Sequence, residues 1–147
     1  MLKLGAGLYE EIARHAEAAY PRECCGLLVG RIVDGGRTRV VEVTYPVENT
    51  FEEEGEQYHR MAISPLDYAR AERAHAARGL GVVGNYHSHP DHPAVPSRFD
   101  LEHLAPWPTM SYVVVSVVGG RAEGLRSWEL EADRSRFNEE ELVRGAL

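Results

Sequence analysis

Apolar residues at Leu8, Ile12, Ala16 and Ala19 recur at helical spacing, and Pro21, which cannot continue a helix, closes the run. The spacing predicts an amphipathic first helix. The block CGLLVGRIV over 25–33 reads as a strand, Asp34-Gly35-Gly36 as a tight turn, and residues 38–47 as the return strand. Residues 49–56 are acidic and without a period, which marks a surface loop, and 57–63 reads as another short strand. Ser64-Pro65-Leu66-Asp67 combines a cap residue, a first-turn proline and an acid at the capping-box position. The helix it starts should run to about Arg78, with Gly79 as its C-terminal cap. Residues 80–87 (LGVVGNYH) form a buried strand. A short helix after Ser97, a strand over 112–118, the Gly119-Gly120 turn and a strand over 125–130 follow. From Arg134 the chain is charged and reads as a loosely docked helix. The alternation predicts an α/β (α+β) fold, a central mixed β-sheet flanked by helices over 1–133, with a charged tail over 134–147.

The length of 147 residues fits one domain, with a core large enough to fold without a disulfide. A net charge of −7 excludes nucleic acid as the main partner, because phosphate contacts need clustered Lys and Arg. No apolar run is long enough to span a bilayer and no basic-then-apolar leader is present, so a cytoplasmic protein with no membrane partner is expected. Cys24 and Cys25 are neighbours, with α-carbons about 3.8 Å apart against the roughly 4.4–6.8 Å of an ordinary disulfide. They read as reduced core residues.

The chemistry concentrates between residues 87 and 100, where three histidines and two acids follow a buried strand. Side chains alternate along a strand, so His87 and His89 share one face and Ser88 takes the other. Two imidazoles on one face chelate a single ion, and zinc in catalytic sites takes three protein ligands plus water. Asp100 offers the third ligand, and the proline-rich stretch 90–96 is stiff enough to bring it back. Ser97-Arg98-Phe99-Asp100 also reads as a capping box, a role that does not exclude the first. His87-Ser88-His89-Pro90-Asp91-His92 matches the His-X-His-X-Asp-His signature of metallo-β-lactamase-like hydrolases, but the distant downstream ligands of that fold are missing. Asp91 and His92 are therefore expected as loop residues edging a cleft. The zinc-deaminase pattern and the His-Glu-X-X-His helix are absent as well.

His87, His89, Ser97 and Asp100 have the order and spacing of the JAMM, or MPN+, metallopeptidase motif. Upstream, Pro21-Arg22-Glu23-Cys24-Cys25-Gly26-Leu27-Leu28-Val29-Gly30 resembles that family's glutamate-bearing strand. The resemblance runs from the first helix to the last strand. It implies a fold like that of the cytidine deaminases and one zinc per chain held by His87, His89, Asp100 and a water. It further implies Glu23 as the acid that takes a proton from that water and passes it to the leaving amine, and Ser97 as the residue that hydrogen-bonds the water or the developing oxyanion.

The chain is close to the family's minimal domain, and its 96–98 and 125–128 segments are similar to those of the small prokaryotic members. That similarity implies hydrolysis after the C-terminal Gly-Gly of a ubiquitin-like (β-grasp) sulfur-carrier protein, for example releasing cysteine. An isopeptidase acting on lysine-linked modifiers and a non-catalytic MPN scaffold are the alternatives. Strand addition beside residues 80–87 is the expected way to hold the substrate tail. His15, His59 and His75 are expected in packing or surface roles, the acidic 52–56 run as a solvated loop, and Trp107 as a packing residue rather than a groove edge.

Overall fold

The computed structural model describes residues 1–51, 60–104 and 107–145. Its elements are β1 (Leu2–Leu4), α1 (Leu8–Ala19), β2 (Cys25–Val33), β3 (Thr38–Val47), α2 (Pro65–His75), β4 (Gly81–Pro90), β5 (Ser111–Val118), β6 (Arg121–Leu130), β7 (Phe137–Glu140) and β8 (Leu142–Arg144). The strands form one mixed sheet in the order β7-β6-β5-β4-β2-β3-β1-β8. Pairing is parallel at β1–β3, β1–β8 and β4–β5, and antiparallel elsewhere.

Alternation along the strands divides the core between the two faces of the sheet. Leu28, Val83 and Val113 pack with Leu8, Ile12 and Ala16 of α1, whereas Leu27, Val29 and Val82 pack with Ala71 of α2. Gly26 allows this packing beside the fully buried Tyr86, because any β-carbon there would lie inside the Tyr86 ring. At the start of α2, Ser64 Oγ accepts the Leu66 N–H at 3.2 Å, with Pro65 in the first turn. The helix gives way to a 3₁₀ turn at Ala76–Arg78, and Gly79 ends it at φ 71°.

Three expectations are corrected. Residues 60–63 form no strand, because the Asn49 side chain takes up the Arg60 carbonyl and the Ala62 N–H, while the Ala62 carbonyl accepts from Thr50 N. Residues 52–59 lie outside the described ones, and with them the acidic run and His59. Second, the tail is not a helix. β7 pairs with β6 at one edge of the sheet, and β8 pairs with β1 at the other. Only Glu141 separates the two strands, so one short segment joins both edges and the sheet must curl round on itself. Its charges led the reading towards a helix, but an edge strand needs only one apolar face and its charges find partners across the curl. Arg39, 4% exposed, reaches from β3 to Glu129 (3.2 Å) and Glu140 (3.6 Å), and Glu140 also meets the N-terminal ammonium at 3.0 Å. Third, β4 is an inner strand: β2 pairs with Gly81–His87 on one side and β5 with Gly84–Pro90 on the other. Over 84–87 both sides of the strand are taken, so a substrate strand cannot add along 80–87 as expected.

Candidate metal centre

β4 carries His87 and His89 out of the core on one face, and the chain then turns at Asp91, whose φ is 57°. The loop returns to Ser97, where the capping box is fully formed: Asp100 N donates to Ser97 Oγ at 3.1 Å, and Ser97 N donates to Asp100 Oδ2 at 2.8 Å. The same Oδ2 stands 3.0 Å from His87 Nε2 and 3.1 Å from His89 Nε2, and the two nitrogens are 3.1 Å apart. Capping and convergence on the histidines therefore coexist in one carboxylate.

That triangle of donor atoms fits a metal. Zinc bonds of about 2.0–2.2 Å place the corners of a tetrahedron about 3.3–3.5 Å apart, close to the spacing seen. His89 Nδ1 lies 3.1 Å from the Pro93 carbonyl, which can only accept, so Nδ1 carries the hydrogen and the Nε2 lone pair is free for a ligand role. Burial alone would lower the pKa of His87, but Asp100 and Glu23 carry it above its ordinary value. Burial would raise that of Asp100, yet His87 and the hydrogen bonds from His87, His89 and Ser97 hold it well below the usual carboxylate range.

Glu23 stands immediately before β2, and its carboxylate lies within 4.8 Å of the ligand atoms of both histidines. Glu23, His87 and His89 thus form a group that could itself hold a metal ion, while Asp100 Oδ2 lies nearer, within 3.1 Å of both ring nitrogens. The residue is 5% exposed, and its Oε1 has no hydrogen-bond partner among the described residues. Burial pushes its pKa up to about 8, with His87 acting against that shift and Asp100 adding to it. A cation at the triad would favour the ionised form. Glu23, His89 and Ser97 line one cleft of about 280 Å³ with His92, Pro93 and Val95.

A family model described as prokaryotic homologs of the JAB domain matches residues 5–131. The chain belongs to that family. Among relatives, a desampylase of Haloferax volcanii is 33% identical over 122 residues, covering 80% of this chain and 82% of the relative. A probable TtuB-protein conjugate cleaving protease of Thermus thermophilus is 34% identical, covering 83% and 74%. A tail tip assembly protein K of Escherichia phage N15 is 36% identical over 70% of this chain, which spans only 38% of the phage protein's length. A solution structure from Desulfitobacterium hafniense superposes with a TM-score of 0.83 at 31% identity, over 100% of this chain and 94% of that one. The JAB1/MPN domain protein AF2198 of Archaeoglobus fulgidus does so at 0.60 and 19% identity over 97% and 96%, a likeness of fold.

The remaining sequence candidates in this JAB domain separate cleanly. His92 lines the cleft, whereas Asp91 does not: its carboxylate accepts from Tyr20 OH at 2.7 Å and Gly119 N at 2.9 Å, tying the loop to the end of α1. Trp107 packs edge-on to Tyr68 and joins Phe51, Met61 and Phe99 around a second hollow of about 460 Å³. His15 meets Tyr86 OH at 2.7 Å, and His75 Nδ1 donates to the Ala71 carbonyl. Cys24 and Cys25 are buried and unbridged; burial raises both thiols, that of Cys24 to about 11, so neither is a nucleophile. No helix among the described residues is long and apolar enough to cross a membrane. Sequence reading missed the Pro93 carbonyl that orients His89, the hydroxyl of Ser88 and the amide of Asn49. Backbone acceptors and tertiary hydrogen bonds leave no spacing signal.

Proposed function

We propose that this JAB domain is a zinc-dependent peptidase that hydrolyses the peptide or isopeptide bond after the C-terminal Gly-Gly of a ubiquitin-like sulfur-carrier protein. One observation carries the reading: His87, His89 and Asp100 converge within 3.1 Å of one another, and Glu23 is buried beside them with its Oε1 unbonded among the described residues. In this reading those three residues hold one zinc, Glu23 moves the proton and Ser97 stabilises the oxyanion. When bound, zinc supplies a Lewis acid and lowers the pKa of water from about 15.7 to about 7. Glu23 accepts the proton of the attacking water on its carboxylate and hands it to the leaving amine nitrogen. Ser97 Oγ accepts from Asp100 N, which leaves its hydroxyl hydrogen to donate to the developing oxyanion at the substrate carbonyl. A scaffold role is disfavoured, because capping alone does not require two buried imidazoles on the same carboxylate, nor a buried Glu23 whose Oε1 has no hydrogen-bond partner among the described residues.

The cleft and the relatives support this choice of substrate. Walls formed by Pro93, Val95 and His92 leave a narrow approach, and glycine permits the closest passage of a backbone. Two relatives named as a desampylase and a conjugate-cleaving protease support a ubiquitin-like partner, and they favour isopeptide bonds as a second reading over release of a single amino acid. The test compares intact carriers ending in Gly-Gly-Cys and in Gly-Gly joined to a lysine side chain, a carrier with the last Gly replaced by Val, and the free tail peptide. The intact carriers should be cleaved and the Val variant nearly inert, with the free peptide losing mainly in kcat/KM. Equal rates throughout would mean a general peptidase and would sink the carrier assignment.

A further inference from the structure

Ser88 is fully buried and takes part in no step above. As the middle residue of His87-Ser88-His89 it faces away from the two rings, towards the chain that carries Glu23. Its Oγ accepts the Cys24 N–H at 2.8 Å, and its own N–H donates to the Cys24 carbonyl at 3.1 Å. The regular β2–β4 register ends one residue earlier, at Cys25 opposite His87. Beyond that point Ser88 supplies both halves of the grip on Cys24, one from its backbone and one from its side chain.

A second arm comes from Asn49. Its Nδ2 donates to the Glu23 carbonyl at 3.2 Å and to the Arg60 carbonyl at 3.0 Å, while its Oδ1 accepts from Phe51 N and Ala62 N, each at 3.1 Å. The Glu23 carbonyl and both backbone polar groups of Cys24 are thereby held by the Asn49 side chain and by the side chain and backbone of Ser88 in β4. No hydrogen bond among the described residues anchors Glu23 Oε1 itself. The place of that carboxylate relative to His87 and His89 is set by its backbone, and the backbone is set by these contacts.

We propose that Ser88 and Asn49 are positioning residues that hold the main chain of Glu23 at its working distance from the His87–His89 pair. The inference rests on the reading of Glu23 as the base. A misplacement of about 1 Å in such a group costs up to about 100-fold in rate. The effect belongs in kcat rather than KM, because neither residue touches the cleft wall that binds the tail.

The experiment uses the full chain loaded with zinc and the Gly-Gly carrier, comparing Ser88→Ala, Ser88→Thr, Asn49→Asp and Thr50→Ala. Asn49→Asp keeps the acceptor for Phe51 N and Ala62 N but loses the donor to the Glu23 and Arg60 carbonyls. Ser88→Ala and Asn49→Asp should lower kcat about tenfold to hundredfold, with KM within about twofold and zinc content unchanged. Ser88→Thr retains the hydroxyl and should recover most of the loss. Thr50→Ala, which removes a contact confined to the loop, should behave as wild type. Crystal structures of the two impaired variants should show the Glu23 carboxylate displaced from the histidines. Unchanged kcat in both, a loss that tracks the unfolded fraction in thermal melts, or a Glu23 carboxylate that stays in place would overturn the proposal. If the wild type cleaves no Gly-Gly substrate, the functional reading fails, and the position of Glu23 in the variant structures still decides the brace.

Discussion

Burying a carboxyl group without a partner is costly, and Glu23 bears that cost beside two imidazoles that share a second carboxylate. Replacing His87, His89 or Asp100 by Ala should take bound zinc, measured by elemental analysis, from about one per chain to near zero. Glu23→Gln should keep the metal and the fold while turnover falls about 10²–10⁴-fold; full metal retention in the three ligand variants would void the assignment. The titrations give a second prediction with a definite sign. His87 has a raised folded-state pKa, so its contribution to stability is complete below the ordinary histidine value of about 6.5 and is lost as pH rises through the folded value. Glu23, raised to about 8, acts in the same direction between its ordinary value and about 8, because the folded state binds the extra proton. Zinc-free protein should therefore lose thermal stability on going from mildly acidic to alkaline pH. Zinc-loaded protein should gain it, since metal binding displaces protons from the same ligands. Melting curves with and without chelator across that range read both slopes, and parallel slopes would contradict the shared-ligand picture.

At the level of elements, β2, β3, α1 and α2 were legible because each shows a clean period, an unambiguous turn or a capping signal. The His87-Ser88-His89 alternation was legible for the same reason. β1 was not, since three residues display no period, and the strand exists only because β3 and β8 pair with it on either side. The convergence of the 97–100 turn on β4 was anticipated, and so was the pairing of capping and histidine contact in Asp100, because the capping box and the ligand spacing are both local patterns. Gly26 supplies the test of how tightly β2 is packed. Gly26→Ala should cost about 1–3 kcal/mol in denaturant unfolding, because the added methyl meets the buried Tyr86 ring rather than open space. A neutral effect would mean that Tyr86 yields more easily than its burial indicates.

Across the whole molecule, the tail makes the sheet continuous with itself. Deleting residues 134–147 would bare the outer edges of β6 and β1 and remove Glu140 from Arg39 and from the N-terminal ammonium. The truncated chain should lose cooperative unfolding or aggregate through its open edges, seen by calorimetry and light scattering. Glu140→Ala should be milder than the roughly 3–5 kcal/mol of a fully orphaned buried charge, because Arg39 keeps Glu129 and donates to the Thr109 carbonyl at 2.7 Å. A tail-less chain that melts as sharply as the intact one would show the closure to be incidental.

Local patterns in the chain were enough to specify α1, α2, the long strands and the two-histidine face, while Glu23 stood out only through the family resemblance. Periodicity, caps and turns act between residues a few positions apart, and those rules are written in the order of residues. Other features needed distant segments to meet: the curl that brings Arg39 to Glu140, the Pro93 carbonyl behind His89 and the grip of Ser88 and Asn49 on the backbone of Glu23 and Cys24. Their partners lie up to about a hundred residues apart, and a hydrogen bond carries no sequence period. The same holds for the pKa of Glu23, which was chemically ordinary as a residue before a strand. Burial without a partner made it a poised acid, and burial is a property of the packed chain.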